Sequence, residues 1–374
     1  MILTRRSFSV TLAAFGLTAC AGQPTSAIAT GLPEDLRPAA NAEYDRWVAA
    51  FLPRGRAAGI SEATLRQGFE GTGFLPGVVR RDRNQTEFKR SLEDYLSIAV
   101  SDERVTKGRA AFERHAPVLR ALEAQYGVDA EIITAIWGLE SFYGARRGNV
   151  PVVSATSTLA FDGRRGAFFE KQLIAALEIL QSGDTTADKL VGSWAGAMGH
   201  TQFIPTSYQA FAVDYTGDGR RDIWSDDPSD ALASAAAYLQ RNGWVRGQAW
   251  GREITSGSGG LQPQPGGPRF ATNQNFRVIK RYNNSDSYAI GVGHLADRIG
   301  GAGPLQTSFP PDKNGLTKDD RIALQRGLTA AGFDTQGADG VIGRNTESAI
   351  RAYQTSIGQE PTGIPSTALL DALR

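Results

Sequence analysis

The chain has one cysteine and three histidines among its 374 residues. A single cysteine excludes an internal disulfide framework, and so few thiol and imidazole groups disfavour a zinc enzyme or a nucleophilic Cys/His pair. Neither sign of charge is in excess, because 40 Lys and Arg residues stand against 39 Asp and Glu residues. We therefore expect no nucleic-acid partner. The chemistry must come mainly from carboxylates, hydroxyls and amides.

The composition is that of a globular protein. Hydrophobic residues make up 41% of the chain and charged residues 21%, which is enough apolar material for a core. At about 150 residues per domain, the length suggests two or so domains. Helical periodicity dominates residues 32–302, so we predict a mainly α fold. Near the C-terminus, Thr317 and Asp320 have the spacing of a helix capping box.

The first 19 residues predict an export signal of the lipoprotein type. Two arginines precede an apolar run over residues 8–19, which is too short to span a membrane. The run ends in Leu17-Thr18-Ala19-Cys20, which resembles the lipobox of bacterial lipoproteins. Cys20 is predicted to carry the lipid that attaches the protein to a membrane, followed by a tether to residue 31. By analogy with bacterial lipoproteins, the alanine after Cys20 in place of an aspartate favours the outer membrane, and hence a periplasmic location. Twin-arginine and general secretory export both stay open.

The last sixty residues predict a separate small domain. A Gly- and Pro-rich linker over residues 303–314 leads into three short helices over residues 315–374. Between the first two helices lies the turn D-G-V-I-G-R-N-T at residues 339–346, and residues 349–354 begin with Ala and end with Tyr-Gln. This pattern resembles the peptidoglycan-binding domain of many bacterial wall enzymes. The alternative is a three-helix bundle of unspecified ligand.

Glu140 is the candidate general acid. It follows Ile136 by four residues and Ile133 by seven, so its carboxylate shares a helix flank with apolar groups. Asp129 is placed to cap the start of that helix. An apolar setting raises the pKa of a carboxyl group, as a general acid near neutral pH requires. A helical glutamate is by itself usually a solvated surface charge, so this interpretation depends on neighbouring motifs.

Three blocks of sequence provide those motifs. Residues 136–144 contain E-S, residues 192–208 contain G-A-M-G-x-x-Q-F-x-P-T, and residues 282–289 read Y-N-x-S-x-x-Y-A. In content and order they resemble the signatures of the membrane-bound lytic murein transglycosylase B family over residues 32–302. The resemblance implies a lysozyme-like catalytic domain with a groove for a glycan strand and Glu140 as the single catalytic glutamate. It also implies that the groove is lined by Ser141, Ser193, Met198, Gln202, Tyr282, Asn283 and Tyr288.

The implied reaction needs no protein nucleophile. Glu140 donates a proton to the glycosidic oxygen between N-acetylmuramic acid and N-acetylglucosamine, and the substrate's N-acetyl carbonyl stabilises the oxocarbenium ion. Glu140 then accepts the C6 hydroxyl proton, and a 1,6-anhydro ring closes. Ser193 and Gln202 are suited to bind the N-acetyl group. Tyr282, Tyr288 and Met198 offer surface for pyranose rings.

Two alternatives stay open at this stage. A lysozyme-type muramidase would need a second carboxylate, for which Asp162 and Glu170 are candidates by proximity in sequence. A non-catalytic peptidoglycan-binding lipoprotein would use the groove and the tail only to hold glycan. Proteins of the wall-synthesis machinery are further partners that the family resemblance suggests.

Residues 214–224 begin like a calcium-binding EF-hand loop. Asp214, Thr216 and Asp218 hold positions one, three and five, glycine holds six, and the Arg220 carbonyl holds seven. Position twelve is a serine, so the closing acid must be a later aspartate at position 226, 227 or 230, and the family resemblance favours Asp230. The alternative is an Asp/Gly-rich turn held by its own hydrogen bonds. No cofactor is expected for the reaction, and calcium would only brace the loop.

Overall fold

The computed structural model describes residues 31–84 and 90–374. This part of the chain is mainly helical, which confirms the predicted fold class. Its catalytic part contains α1 (Ala42–Ala57), α2 (Glu62–Phe69), α3 (Pro76–Arg83), α4 (Leu92–Ala99), α5 (Asp102–Arg114), α6 (Ala116–Tyr126), α7 (Ala130–Ser141), α8 (Val152–Asp162), α9 (Gly166–Ser182), α10 (Pro205–Phe211), α11 (Ser229–Arg241), α12 (Gln274–Tyr282) and α13 (Asp286–Ile299). The tail contains α14 (Lys318–Ala330), α15 (Arg344–Ser356) and α16 (Thr367–Ala372). Cys20 and the predicted export signal lie outside the described residues.

Helix α7 is the centre of the catalytic part. Its residues are buried from Ala130 to Gly138 apart from Glu131, as expected for a helix that is apolar around its circumference. It packs against α5, α6, α11 and α13. Asp129 occupies the N-cap position, although its side chain makes no capping hydrogen bond. This packing fixes the end of α7, where Glu140 lies.

Two short antiparallel strand pairs accompany the helices. Strand β1 (Val150–Pro151) pairs with β2 (Val191–Gly192), with Val150 opposite Gly192. Strand β3 (Gly251–Ile254) pairs with β4 (Arg269–Thr272) from Gly251↔Thr272 to Ile254↔Arg269. The pair of β1 and β2 brings the block at residues 192–208 beside the segment that follows α7.

The tail has a core of its own. Helices α14 to α16 enclose Leu316, Leu324, Leu328, Ala349, Ile350, Leu369 and Leu370. The capping box is confirmed, because the Thr317 side chain accepts from the Asp320 N–H and the Asp320 carboxylate accepts from the Thr317 N–H. The predicted boundaries of the domains and of the linker stay predictions.

The tail lies against the catalytic part through a buried ion pair. Arg321 on α14 is only 3% exposed and contacts Glu93 on α4 at 2.6 Å and Asp94 at 3.4 Å. The connecting segment is also held in place, because the Glu253 carboxylate accepts the Gln306 and Thr307 N–H groups. The segment that connects the two parts is therefore bound to the catalytic part and is not a free tether.

Candidate active site

The side chain of Glu140 is partly buried near the C-terminal end of α7. Its Oε1 accepts a hydrogen bond from the Tyr288 hydroxyl at 2.6 Å. Burial raises the pKa of Glu140 to about 7, and the Tyr288 hydrogen bond opposes this rise. A carboxyl group with this pKa can hold a proton and release it near neutral pH, as an acid–base catalyst must.

Tyrosines surround this carboxyl group. Tyr288 lies in the first turn of α13, where its N–H is held by the Ser285 side chain. Burial and the neighbouring Glu140 raise the pKa of Tyr288 well above its ordinary value, so the phenol stays a hydrogen-bond donor. Tyr95 on α4 has its pKa raised to about 12 by burial and by Glu140. Sequence reasoning missed Tyr95, because α4 carries no motif and lies far from Glu140 in the chain.

The turn that follows α7 has an unusual backbone. Phe142 and Tyr143 adopt φ angles of 53° and 58°, in the left-handed region that non-glycine residues seldom occupy. The Tyr143 hydroxyl donates to the Arg104 carbonyl at 2.8 Å and fixes this conformation. A Cβ on Gly138 would lie 2.6 Å from the Tyr143 ring, so glycine is required there. The turn directs the chain away from the helix immediately after Glu140 and Ser141.

Ser141 joins this turn to the second motif block. Its Oγ donates to the His200 carbonyl at 2.6 Å and accepts the Gly144 N–H at 3.0 Å. The Trp137 indole donates to Nδ1 of His200, which leaves Nε2–H to donate to the Ser225 carbonyl. Burial lowers the pKa of His200, so its ring stays neutral. Ser141 is only 1% exposed and has a positioning role here, whereas its predicted contact with glycan stays a prediction.

Ser193 and Gln202 each have one side-chain hydrogen-bonding group without a partner among the described residues. The Ser193 Oγ accepts the N–H groups of Ala195 and Ala197, so its own proton is free to be donated. The Gln202 amide nitrogen donates to the carbonyls of Arg147 and Gly199, while its Oε1 bonds to none of the described residues. Gln202 also has a φ of 52°. A donor and an acceptor are the two groups that an N-acetyl substituent requires.

The other predicted groove residues differ in exposure. Tyr282 is partly buried, and its hydroxyl donates to the Thr201 carbonyl at 2.7 Å. Asn283 is exposed. Met198 is 0% exposed, because its side chain lies in a hydrophobic cluster with residues such as Phe51 and Leu173. It therefore supports the loop from beneath, and the structure differs here from the expected apolar surface for a sugar ring.

The candidate second carboxylates are engaged elsewhere. Asp162 is paired with Arg83 at 2.6 Å, and Glu170 with Arg54 at 2.7 Å. Burial raises the pKa of Glu140 against the opposing Tyr288 hydrogen bond, and no carboxylate among the described residues contributes to the rise. The arrangement thus consists of one carboxyl group among tyrosines.

The candidate calcium loop brings three carboxylates together. Oxygens of Asp214, Asp218 and Asp230 lie within 4.8 Å of one another, and such oxygens are the ligands that calcium prefers. Asp214 accepts backbone N–H groups of its own loop, and Asp230 accepts those of Tyr215, Thr216 and Asp222. The Arg220 N–H donates to Asp218. These contacts fit both an ion site and a self-supporting turn.

The tail carries a cleft of about 370 Å³ between α15 and the loop after α14. It is lined by Phe333, Gln336, Asn345 and Ala349 among others, and the Asn345 side chain donates to Gln336. Asn345 comes from the D-G-x-x-G-x-x-T turn. The motif that predicted glycan binding therefore borders a concave surface.

The family assignment rests on two matches along the chain. The family model described as "Transglycosylase SLT domain" matches residues 43–264 and 260–297. The family model described as "Putative peptidoglycan binding domain" matches residues 317–373. The chain belongs to the transglycosylase SLT family. These matches confirm the predicted family and the lysozyme-like fold. They also confirm the predicted enzyme class, a lytic transglycosylase, and the C-terminal peptidoglycan-binding domain.

Relatives within the SLT family agree with this assignment. The chain is 32% identical over 243 residues to membrane-bound lytic murein transglycosylase B of Escherichia coli K12, covering 55% of this chain and 66% of that protein. SltB3 of Pseudomonas aeruginosa, crystallised with NAG-NAM-pentapeptide, is 42% identical with a TM-score of 0.69 and covers 89% of this chain and 100% of its own. Slt35 of E. coli in complex with calcium is 26% identical with a TM-score of 0.59, covering 70% of this chain and 93% of its own.

Proposed function

We propose that this lytic transglycosylase cleaves the β-1,4 bond between N-acetylmuramic acid and N-acetylglucosamine and leaves a 1,6-anhydromuramyl end, with Glu140 as acid and then base. The observation that carries the proposal is a single partly buried carboxyl group, hydrogen-bonded by Tyr288, whose pKa is raised to about 7. At that pKa both protonation states are accessible in one catalytic cycle near neutral pH.

The first step is proton transfer from Glu140 to the leaving glycosidic oxygen. As the bond breaks, the N-acetyl carbonyl of the muramic acid stabilises the developing positive charge at the anomeric carbon. Gln202 Oε1 accepts the N–H of that acetamido group, and the Ser193 hydroxyl donates to the sugar. Both groups are held by backbone contacts in the block at residues 192–208.

The second step returns the proton. The Glu140 carboxylate, stabilised by the Tyr288 hydroxyl, accepts the proton of the C6 hydroxyl, whose oxygen attacks the anomeric carbon. A retaining hydrolase with a protein nucleophile would need a second carboxyl about 5 Å from the acid. Among the described residues, Asp162 and Glu170 are held in ion pairs and no carboxylate contributes to the pKa of Glu140, which favours ring closure over hydrolysis by a protein nucleophile.

The substrate inferred for the chain is a peptidoglycan glycan strand with stem peptides. SltB3 is bound to NAG-NAM-pentapeptide in its crystal structure, and this chain carries a matching peptidoglycan-binding domain. The cleft beside the turn at residues 339–346 is the proposed contact of the tail.

The proposed role of calcium is structural. Three aspartates form the candidate ligand cluster, and Slt35 is known in complex with calcium. The same loop continues to Ile223, whose carbonyl accepts the His200 N–H, and to Ser225, whose carbonyl accepts from the His200 ring. An ion at Asp214, Asp218 and Asp230 would therefore brace the segment that positions Ser141 through His200.

The proposed location is the periplasm, with a lipid on Cys20 anchoring the protein to the outer membrane. Its support is the lipobox-like sequence and the membrane-bound relative from E. coli. None of the described helices is long and apolar enough to cross a membrane. Proteins of wall synthesis are proposed as partners by analogy with the family.

The test is digestion of purified peptidoglycan, with the released ends identified by mass spectrometry. The unaltered chain should yield anhydromuramyl ends, and Glu140→Gln should yield none while still sedimenting with the polymer. Glu131→Gln on the same helix, whose side chain pairs with Arg120, is the matched control and should retain activity. Reducing muramic ends would make the enzyme a muramidase, and intact glycan with retained binding would leave only a binding role.

A further inference from the structure

Arg321 in the tail connects three separate segments of the chain. Its Nη2 lies 2.6 Å from Glu93 Oε2 on α4. Its Nε donates to the Gly340 carbonyl at 2.6 Å, and its Nη1 donates to the Leu316 carbonyl at 3.1 Å. The arginine side chain is only 3% exposed. One buried guanidinium therefore contacts the catalytic part, the segment before α14 and the D-G-x-x-G-x-x-T turn of the tail.

Stability alone does not explain an arginine at this position. Removing two opposite charges from water costs free energy that their attraction often fails to restore, so an apolar pair of similar volume can hold two surfaces together equally well. An apolar pair has no preferred direction, whereas a guanidinium donates its hydrogen bonds in a fixed plane. The contact between Arg321 and Glu93 therefore also sets where the first turn of α4 lies.

The position of α4 matters because Tyr95 follows Glu93 by two residues. Two residues correspond to about 200° of helical rotation, so Glu93 and Tyr95 point to roughly opposite sides of α4. Arg321 thus holds the helix from the side away from Tyr95. The Tyr95 hydroxyl makes no hydrogen bond to any residue in the described ranges 31–84 and 90–374. The place of its ring therefore depends on where α4 lies.

The Tyr95 ring lies at the reaction centre. A Cβ on Gly291 of α13 would lie 2.9 Å from Tyr95 Cε1 and 3.6 Å from Leu139 Cδ2, so these two side chains meet at one point on α13. Leu139 directly precedes Glu140. Gly291 follows Tyr288 by three residues, on the same face of α13. The ring is therefore packed between the helix that carries the catalytic carboxyl group and the helix that carries its hydrogen-bond donor.

Four ionisable side chains surround this part of the site. Tyr95, Tyr282 and Tyr288 come from α4, α12 and α13 and face Glu140. Arg104 on α5 faces Tyr95. Burial raises the pKa of Glu140, and no charged side chain among the described residues contributes to it. Water admitted beside the carboxyl group should therefore lower its pKa.

We propose that Arg321 is a positioning residue for the reaction: by fixing α4 it holds the Tyr95 ring beside Glu140 and keeps water away from the catalytic carboxyl group. The inference rests on the proposed function of Glu140. The tail then has two roles, because its domain binds the polymer and its first helix also completes the packing around the site of cleavage.

The experiment measures kcat for release of anhydromuramyl ends as a function of pH in the full chain. Arg321→Met removes the contact to α4. Arg321→Met/Glu93→Leu replaces the ion pair by an apolar pair, which recovers stability without the directed contact. Leu328→Ala is the matched control, because it weakens the tail by truncating a buried leucine of its core and leaves Arg321 in place. Urea titration of each variant measures its stability.

The alkaline limb of the pH–rate profile, where activity falls as Glu140 loses its proton, should move down by about one pH unit in Arg321→Met. With a pKa of about 6 in place of about 7, the protonated fraction at pH 7 falls from about one half to about one tenth, so kcat should fall about fivefold there. At pH 5 kcat should be nearly equal, since both forms are mostly protonated. Arg321→Met/Glu93→Leu should show the same shift, and Leu328→Ala should show none.

A second comparison tests whether the effect passes through Tyr95. Tyr95→Ala removes the ring and should itself move the limb to lower pH. Adding Arg321→Met to Tyr95→Ala should then shift the limb no further, because two changes that act through one contact are not additive.

Several results would overturn the inference. The limb could stay in place in both variants at position 321, it could move equally in Leu328→Ala, or it could return together with stability in Arg321→Met/Glu93→Leu. Equal losses of kcat at pH 5 and pH 7, or additive shifts with Tyr95→Ala, would likewise make Arg321 a purely structural residue. If the unaltered chain forms no anhydromuramyl ends or shows no alkaline limb near pH 7, the proposed function itself fails and the inference with it.

Discussion

Removal of the Tyr288 hydroxyl tests how the site sets the proton affinity of Glu140. This hydroxyl donates to the carboxylate at 2.6 Å and is the contact that lowers the pKa against the effect of burial. A hydrogen bond to a charged group is worth about 1.5–3 kcal/mol, and one pH unit corresponds to about 1.4 kcal/mol. If Tyr288→Phe removes that stabilisation of the anion, the pKa of Glu140 should rise by about one to two pH units from its value near 7.

The assay is the pH dependence of kcat for release of anhydromuramyl ends. A general acid must be protonated, so activity should fall as the pH rises through the pKa of Glu140. This fall is the alkaline limb of the pH–rate profile, and in Tyr288→Phe it should move to higher pH. Tyr282→Phe is the matched control, because Tyr282 lies near the same carboxylate but its hydroxyl donates to the Thr201 carbonyl.

Three results would refute this reasoning. The limb could stay in place in Tyr288→Phe, it could move to lower pH, or it could move equally in Tyr282→Phe. In the first two cases the titrating group that controls the rate is not a Glu140 stabilised by Tyr288. In the third case the shift reflects a general change in burial.

Three further predictions concern stability. The pKa of Glu140 is raised from 4.5 to about 7, so the native state loses about 3 kcal/mol relative to the unfolded state as the pH rises through this window. Glu140→Gln should therefore raise the free energy of unfolding above pH 7 and have little effect near pH 4.5, in urea titrations. Arg321→Met leaves Glu93 buried without its partner and should cost about 3–5 kcal/mol, of which adding Glu93→Leu should recover part. Calcium should raise the Tm of the chain by an amount equivalent to about 2.7 kcal/mol at a hundredfold excess over Kd, and Asp230→Asn should abolish that rise.

Each of these predictions has an outcome that contradicts it. A Glu140→Gln difference independent of pH would mean that the pKa of Glu140 is not raised in the folded protein. A cost below about 1 kcal/mol for Arg321→Met is typical of an exposed ion pair and would contradict the buried docking of the tail. A Tm that calcium leaves unchanged would identify the loop as a turn held by its own hydrogen bonds.

The features that could be predicted from the sequence either depend on a few neighbouring residues or belong to a known sequence motif. The capping box at Thr317 depends on four consecutive residues, and the apolar flank of Glu140 follows from the helical period. The motif blocks identified the family and placed Glu140, Tyr288 and Gln202, because each block fixes several residue types at set spacing.

The features that the sequence did not predict depend on contacts between distant segments. Tyr95 comes near Glu140 only because α4 and α7 both pack against α13. The tautomer of His200 is set by Trp137, which is 63 residues earlier in the chain. The burial of Met198 in a cluster with Phe51 and Leu173 and the partnership of Arg321 with Glu93 have the same origin. None of these follows from periodicity, since each depends on how whole helices and strand pairs dock.

The most direct test of the central claim is digestion of peptidoglycan in water enriched in ¹⁸O, followed by mass spectrometry of the new glycan ends. If Glu140 uses the C6 hydroxyl of the substrate as nucleophile, the ends should be 1,6-anhydromuramic acid without ¹⁸O. Reducing ends that carry one ¹⁸O would show that water attacks the anomeric carbon, and would contradict the mechanism in which Glu140 acts alone as acid and then base.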